Sequence, residues 1–217
     1  MHATNTPLVT TANRKGLPSV AFRRDPEFYG RLSIGLHWLT LAMFIAVYGC
    51  IELRELFPRG SPPREALKTW HFMLGVSVLV LASLRLLVTV ARPAPAILPA
   101  PPGWQKLAAT LVHVALYALM LGMPLAGWLL LSAEAKPIPF FGLQLPSLIA
   151  ASKPAAELIK TIHETAGTVG YFIIGLHAAA ALFHHYLVGD NTLTRMLPPR
   201  LRKPSPRQDA QSRSVSP

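Results

Sequence analysis

TIHETAGTVGYFIIGLHAAAALFHHYL, residues 161–187, combines the apolar character of a membrane-spanning helix with several histidines. A hydrocarbon core about 30 Å thick needs roughly 20 helical residues to cross it, and this segment is long enough. An ionisable side chain inside such a span is costly, and where it persists it usually faces the bundle interior with a partner and a task. The histidines are His163, His177, His184 and His185. Each is an incidental polar residue, part of a proton relay or a metal ligand, and their spacing distinguishes these roles.

The composition of the whole chain is that of a membrane protein, because 51% of its residues are apolar and only 14% are charged. Its apolar residues form four runs that are long enough to span a bilayer. They cover approximately residues 32–53, 69–91, 107–131 and 162–188. We therefore expect an all-α membrane protein, a bundle of four transmembrane helices over residues 29–198 that is surrounded by lipid.

The excess of 21 Lys and Arg over 10 Asp and Glu follows the membrane topology and does not indicate a nucleic-acid partner. Basic residues precede the first span, separate the second from the third and follow the fourth, whereas the other two loops mix both charges. The positive-inside rule places the first three regions in the cytoplasm. Both termini are therefore predicted to be cytoplasmic, as an even number of spans requires.

The segments outside the bundle are predicted to be disordered. Residues 1–28 form a polar arm without the continuous apolar core of a removable signal, and residues 199–217 are rich in Pro, Ser, Arg and Gln. Cys50 is the single cysteine, so it cannot form an internal disulfide, and no Cys-x-x-Cys-His motif attaches a haem covalently. Any haem in this chain would therefore be held by coordination and packing.

The histidines within the spans pair up by depth. His163 and His177 are 14 residues apart, which separates them by about 21 Å along a helix and returns them to within roughly 40° of the same face. His37 lies at the depth expected for His177, on the inner side of the membrane. His71 lies at the depth expected for His163, on the outer side. The spacing thus predicts two histidine pairs, one in each leaflet.

Paired histidines suit haem b, which needs two neutral imidazoles on opposite faces, better than a metal ion, which needs two to four nearby ligands. Helix bundles build such sites from side chains on facing helices. Gly75, Gly167 and Gly170 lie near the same stripe and would give a porphyrin access to the backbone, although ordinary helix packing also uses small residues. A histidine-lined metal or proton transporter is a further alternative, and it leaves the pairing by depth unexplained.

Three polar residues remain near the predicted pairs. Arg85 follows His71 by the same 14-residue interval and so faces inward at the depth of the inner pair. It is a candidate counter-ion for a haem propionate, unless it snorkels to the nearby interface. His113 and His184 could bind a propionate or a quinone head group or have a structural role. His113 could also compete with His37 as a ligand.

Several stretches of the sequence match a known pattern. They are RLSIGLHWL (31–39), LKTWHFMLGVSVLVLASLRLL (67–87), KTIHETAGTVGYFIIGLHAAAALFHHY (160–186) and DNTLTRMLP (190–198). With these stretches the chain resembles the prokaryotic cytochrome b561 family over about residues 29–198. The last two carry the most specific part of the likeness, because the remainder of each helix is simply apolar.

The resemblance implies a bacterial inner-membrane cytochrome with two haems b, in which superoxide is oxidised to oxygen at the periplasmic face and ubiquinone accepts the electrons. The family also contains cytochrome subunits of hydrogenases and formate dehydrogenases. A protein partner is therefore an alternative electron donor, although the sequence does not require one. The resemblance implies that the iron of the haems is bound by His37, His71, His163 and His177.

Basic residues in the outer loops would attract a small anion such as superoxide by raising its local concentration. Those nearest the outer pair in sequence are Arg64, Lys68, Lys153 and Lys160. A solvated surface or contact with lipid head groups is the alternative, because Glu65 and Glu157 lie among them. On the inner side, reduction of a quinone needs protons, which His113 or His184 could deliver.

Overall fold

The computed structural model describes residues 28–92 and 94–201, except for the side chain of Pro199. This part of the chain contains four helices that are long and apolar enough to cross a membrane. They are α1 (Arg31–Leu53), α2 (Pro62–Val90), α3 (Gly103–Ala133) and α4 (Lys153–Phe183). The prediction of four membrane-spanning helices is confirmed. The predicted arm over 1–28 and the predicted tail over 199–217 lie almost entirely outside the described residues.

Two helices begin several residues before the apolar runs that predicted them. α2 begins at Pro62 and α4 at Lys153, where the apolar runs begin near residues 69 and 162. Proline fits the first turn of a helix because its missing N–H has no partner there, and Ser152 caps α4 by accepting a hydrogen bond from the Ala155 N–H at 3.5 Å. Hydropathy locates the apolar part of a helix, whereas these polar first turns extend it without adding hydropathy.

The helices pack in the order of the chain. α1 lies against α2, α2 against α3 and α3 against α4, whereas the described backbones of α1 and α4 have little close contact. Side chains bridge this gap, since the Tyr48 hydroxyl donates to the Gly167 carbonyl at 3.0 Å. The Tyr171 hydroxyl donates to a carboxylate oxygen of Glu52 at 2.6 Å. α1 and α4 are therefore connected by side chains and not by close backbone packing, which leaves a space between them where a cofactor could be held.

Large apolar side chains cover much of the outer surface of the bundle. Ile45 of α1 is 66% exposed, Leu87 of α2 is 68% exposed and Phe172 of α4 is 73% exposed. Water-soluble monomers rarely expose apolar surface on this scale. These faces suit contact with lipid, in agreement with the prediction of a membrane protein.

The two ends of the bundle have different structures. At the loop end, α1 connects to α2 and α3 connects to α4. The α3–α4 connection there contains an antiparallel hairpin of β1 (Pro139–Phe140) and β2 (Leu143–Gln144). At the opposite end, which we call the terminal end, α1 begins and α4 ends.

Residues 190–197 close the terminal end, and we call them the clasp. The indole N–H of Trp38, near the start of α1, donates to the Met196 carbonyl at 2.8 Å. In the connection between α2 and α3, the Leu98 N–H donates to the side-chain oxygen of Asn191 at 2.9 Å. The Asn191 N–H donates back to the Leu98 carbonyl at 3.2 Å. The clasp thereby ties the end of α4 to α1 and to the α2–α3 connection.

Candidate functional site

The structure brings the four depth-matched histidines together as two pairs. His37 of α1 faces His177 of α4 in the terminal-end pair, with ring centroids 6.3 Å apart and ring planes at 66°. His71 of α2 faces His163 of α4 in the loop-end pair, with centroids 6.3 Å apart and planes at 79°. α4 contributes to both pairs because its two histidines lie on nearly the same face.

The separation within each pair fits a metal held between two imidazoles. A bond from a metal to an imidazole nitrogen is about 2 Å long and the ring centroid lies about 1 Å behind the nitrogen, so two rings in line have centroids about 6 Å apart. Both observed separations, 6.3 Å, match this value. The described residues contain no group of three or more His, Cys, Asp or Glu side chains suited to a metal ion. Each site thus offers two imidazoles, the donor set with which bundles hold haem b.

The backbone of α1 fixes the orientation of His71. Its Nδ1 lies 3.0 Å from the carbonyl oxygen of Val47. A carbonyl can only accept a hydrogen bond, so Nδ1 carries the proton and donates it, which leaves Nε2 of the neutral ring unprotonated. This is the arrangement by which a backbone carbonyl fixes the tautomer of a metal-binding histidine. His71 is thereby prepared to bind a metal through Nε2.

His163 packs against a glycine that the sequence interpretation missed. A Cβ at Gly127 of α3 would lie 3.4 Å from Cε1 of His163, so a larger side chain there would push against the imidazole. Nδ1 of His163 is buried and lacks a hydrogen bond of good geometry, although the Met123 carbonyl lies nearby. Gly127 follows His113 by 14 residues, the interval that also separates the two α4 histidines. The same interval could have identified Gly127 from the sequence, because it places Gly127 on nearly the same face of α3 as His113.

A third histidine lies beside the terminal-end pair. The ring of His113, on α3, has its centroid 5.4 Å from that of His177, with the planes at 68°. Both His37 and His113 therefore approach the same imidazole, as the predicted competition between them requires. The 6.3 Å separation between His37 and His177 leaves room for a metal between the rings, whereas the 5.4 Å separation between His113 and His177 is shorter than the separation of about 6 Å that such an arrangement needs.

Arg85 reaches the terminal-end pair, at the depth that its spacing predicted. Its Nη2 lies 2.8 Å from Nδ1 of His37. A guanidinium can only donate, so in this contact Nδ1 accepts and the proton of the neutral ring resides on Nε2. A nitrogen that binds a metal must carry no proton, so neither nitrogen of His37 is free while the contact persists. Arg85 must move away from His37 before His37 can bind a metal.

His184 bonds to a buried carboxylate at the terminal end. Its Nδ1 lies 2.6 Å from Oδ2 of Asp190, and the Thr192 N–H donates to the other carboxylate oxygen at 2.8 Å. Burial raises the pKa of Asp190, but these hydrogen bonds outweigh it and hold the pKa below its ordinary value. The sequence interpretation left Asp190 unassigned because a residue six positions after a histidine does not share its helical face. A π-helical turn over His184–Val188 and a left-handed Gly189 bring the two together.

The three predicted glycines have different surroundings. A Cβ at Gly75 would meet nothing within 4 Å, and one at Gly167 would lie 3.6 Å from Cε of Met123. A Cβ at Gly170 would collide with the hydroxyl of Tyr48. Gly170 therefore makes room for Tyr48, which agrees with the alternative that this glycine serves ordinary helix packing. Contact between Gly170 and a porphyrin stays a prediction.

Arg64 does not have the surroundings of a cation that meets an incoming anion. It is only 8% exposed, and its guanidinium bonds to both carboxylate oxygens of Glu55 at 2.9 and 3.0 Å. It also donates to the carbonyls of Arg54 and Phe57. These contacts stabilise the turn between α1 and α2 and offset part of its positive charge, because Glu55 also pairs with Arg54. A role of Arg64 in the approach of superoxide stays a prediction.

The lysines expected at the loop end are accessible. Lys68 pairs with Glu65 at 2.7 Å, and Lys160 approaches Glu164 at 3.9 Å, with the lysine side chains 32% and 58% exposed. A cleft between the end of α3 and the start of α4 is lined by basic and acidic side chains. They are Lys136, Lys153, Lys160, Glu134 and Glu157.

Comparison with known proteins identifies the family of this chain. The family model for prokaryotic cytochrome b561 matches residues 29–199, well over half of the chain. The chain belongs to the prokaryotic cytochrome b561 family. Membership makes this b561 chain a membrane-bound b-type cytochrome with an electron-transport role.

Curated relatives resemble this b561 chain over nearly their whole length. Cytochrome b561 homolog 1 from Escherichia coli (strain K12) is 41% identical over 172 residues, 79% of this chain and 98% of the relative. Probable superoxide oxidase CybB from Yersinia pestis is 38% identical over 170 residues, 78% of this chain and 96% of the relative. Cytochrome b561 homolog 2 from Escherichia coli (strain K12) is 30% identical over 182 residues, 82% of this chain and 95% of the relative.

Proposed function

We propose that this chain is a superoxide oxidase that binds two haems b, takes one electron from each superoxide at one face of the membrane and reduces ubiquinone. The observation that carries the proposal is the matched separation of 6.3 Å within each histidine pair, one pair near each end of the bundle. The likeness to a relative named probable superoxide oxidase supports superoxide as the donor.

The histidine pairs have the task of holding the cofactors. His37 and His177 hold one haem and His71 and His163 hold the other, each through imidazole nitrogens. When bound, haem b supplies reversible one-electron chemistry at its iron. The Val47 carbonyl keeps His71 in the tautomer that leaves Nε2 free for the metal.

At the loop end the chain needs only to attract an anion. Each superoxide loses one electron and becomes oxygen, without taking up or releasing a proton. Lys136, Lys153 and Lys160 line the cleft at this end and supply positive charge, which raises the local concentration of superoxide and the rate of encounter. Glu134 and Glu157 lie in the same cleft and reduce this effect, so the steering is moderate.

At the terminal end the chain must supply protons, because two electrons and two protons convert ubiquinone to ubiquinol. The carboxylate of Asp190 fixes the orientation of His184 through a 2.6 Å hydrogen bond. A histidine ring can donate a proton from one nitrogen and accept one at the other. In this proposal His184 passes protons from the aqueous phase to a bound quinone, and His113, beside His177, is the second candidate for this role.

The orientation in the membrane follows from the distribution of charge. We place the protein in the bacterial inner membrane, with the terminal end in the cytoplasm and the loop end in the periplasm. Arg31 and Arg92 are exposed at the terminal end and form no ion pair with a described carboxylate. At the loop end, Lys68, Lys136 and Lys160 each pair with a glutamate. This asymmetry agrees with the positive-inside rule.

The proposal is tested with purified protein and superoxide. The protein should bind two haems per chain, superoxide should reduce them faster than it dismutates, and ubiquinone should reoxidise them. Raising the ionic strength should slow the reduction by superoxide because it screens the exposed lysines. A protein that contains haem but is inert towards superoxide would overturn the proposed donor. A reduction rate that does not respond to salt would remove the steering role of the lysines.

A second candidate function is that of a cytochrome subunit which receives electrons from a partner dehydrogenase. Phe141 and Leu143 of the loop-end hairpin are 55% and 65% exposed, and Trp70 lies beside Phe141 with ring centroids 6.2 Å apart. An exposed apolar patch of this kind can bind another protein. Copurification of an iron-sulfur protein from native membranes, lost in a Phe141→Ser variant, would favour this function over oxidation of superoxide.

A further inference from the structure

The clasp buries an arginine to which the sequence interpretation gave no role. Arg195 is only 7% exposed, and it lies in a short helical turn, Thr194–Met196. One of its terminal nitrogens donates to the Pro95 carbonyl, and its Nε is buried without a hydrogen-bond partner. A buried guanidinium with an unused donor is costly, because the charge has left water without full compensation.

The other buried arginine among the described residues provides a direct comparison. Arg64 is 8% exposed and bonds to both oxygens of the Glu55 carboxylate. Within residues 28–92 and 94–201, neither Arg195 nor Arg85 forms an ion pair with a carboxylate. The described residues thus supply a carboxylate for Arg64 and none for Arg195 or Arg85. Arg195 and Arg85 are left to an anion that is not a side chain of the described residues.

Arg195 and Arg85 both lie at the end of the bundle that holds the terminal-end pair. Nη2 of Arg85 lies 2.8 Å from Nδ1 of His37. Met196, the residue after Arg195, accepts a hydrogen bond from the indole N–H of Trp38, and the Trp38 ring centroid lies 5.6 Å from that of His37. The guanidinium carbon of Arg195 lies 5.6 Å from the centre of the Tyr29 ring, just before α1. The two positive charges therefore lie at the end where the terminal-end pair would hold a cofactor.

We propose that Arg195, together with Arg85, forms an anion site that binds the carboxylates of the porphyrin held by the terminal-end pair. This inference rests on the proposed binding of haem and adds a binding residue contributed by the clasp. A carboxylate satisfies the unused Nε of Arg195 and gives Arg85 an acceptor once it has left His37. Arginine is suited to this task because its planar donors match the geometry of a carboxylate.

The test compares haem b with its dimethyl ester, in which the carboxylates carry no charge. The full-length apoprotein is loaded with either porphyrin, and transfer to an excess of a haem-scavenging apoprotein is followed as two phases, one for each site. In the wild type, the ester should leave the terminal-end site about tenfold faster than haem b, as expected for the loss of a charge-assisted hydrogen bond. In an Arg195→Gln variant, haem b itself should leave that site faster, and esterification should add little further effect.

The controls separate a binding role from a purely structural one. The phase of the loop-end site should be unchanged in Arg195→Gln, because a general folding defect would alter both phases. An Arg195→Lys variant keeps the charge and should retain part of the sensitivity to esterification. An Arg92→Gln variant removes an exposed charge at the same end and should behave as the wild type. A redox titration should give a lower potential for the terminal-end haem alone in Arg195→Gln, since a nearby positive charge favours the reduced form.

The outcomes distinguish this inference from the proposed function. If Arg195→Gln binds two haems and remains as sensitive to esterification as the wild type, the role of Arg195 is wrong while the two-haem proposal stands. If the wild type shows no sensitivity to esterification at the terminal-end site, the anion site is also wrong. If neither variant nor wild type binds haem, the proposed function itself fails.

Discussion

Nη2 of Arg85 lies 2.8 Å from Nδ1 of His37, so a charged guanidinium is hydrogen-bonded to the ring of a predicted haem ligand. The contact has two consequences of opposite sign. It engages the His37 ring before haem binds, and it holds Arg85 next to the place where a haem carboxylate would lie. Arg85 is thus expected to oppose the first approach of a cofactor and to stabilise the loaded state.

The first prediction separates these two effects in an Arg85→Gln variant. Insertion of haem at the terminal-end site should become faster, because His37 is no longer engaged by a guanidinium. Loss of haem from that site should become faster by about tenfold, because a charge-assisted hydrogen bond is missing from the loaded state. Stopped-flow absorbance measures both rates. A variant in which both rates slow down would contradict the proposed exchange of partners.

The second prediction concerns the independence of the two sites. A His71→Ala variant should lose one haem and keep the other, because His71 belongs to the loop-end pair with His163. A His163→Ala variant should give the same result. Absorbance after reduction should report about half the haem per chain in either case, and the remaining haem should keep its potential. His185→Ala is the matched control and should retain both haems.

The third prediction tests the packing between α1 and α4. A Cβ at Gly170 would collide with the Tyr48 hydroxyl, so Gly170→Ala should destabilise the protein by about 1–3 kcal/mol through overpacking. Tyr48→Phe should cost about 1 kcal/mol, because the hydrogen bond to the Gly167 carbonyl is lost.

The combination of these two substitutions provides the check. Since phenylalanine lacks the colliding oxygen, the double variant should be no less stable than Tyr48→Phe alone. Thermal unfolding in detergent measures this coupling. Strictly additive losses would mean that the Tyr48 ring does not occupy the space at Gly170.

The fourth prediction concerns pH and the clasp. The pKa of Asp190 lies below its ordinary value in the folded chain, so its carboxylate stabilises the fold above the unfolded pKa of about 4. This contribution is lost as the pH falls through the lower, folded pKa. Asp190→Asn should therefore lower the melting temperature at pH 7, and the difference from the wild type should shrink as the pH falls below about 4. If the difference in melting temperature were the same at every pH, the loss of stability would come from altered packing and not from the missing charge of Asp190.

The sequence predicted the elements that depend on periodicity and hydropathy. The four spans follow from apolar runs, and the partners of His177 and His163 follow from depth, because a straight helix converts residue number into height. The starts of α2 and α4 could not be placed as well, since their first turns are polar and depend on Pro62 and the Ser152 cap.

The site residues that escaped prediction depend on departures from helical regularity or on contacts between distant segments. Asp190 reaches His184 only because a π-helical turn and Gly189 reverse the chain. Arg195 is buried because the clasp folds back on the bundle, which periodicity does not encode. Arg64 was expected to be an accessible basic residue, because its sequence neighbours gave no indication that it would be buried and paired with Glu55.

The placement of both α4 histidines has a consequence for biogenesis. Each pair takes one histidine from α4, since His177 pairs with His37 of α1 and His163 pairs with His71 of α2. Neither pair is complete until α4, the last span, has entered the membrane. If these pairs hold haem as proposed, a nascent chain cannot bind porphyrin at either site until its final helix has been inserted. We therefore expect cofactor assembly to be a late event, and a truncated chain that ends before α4 should stay colourless.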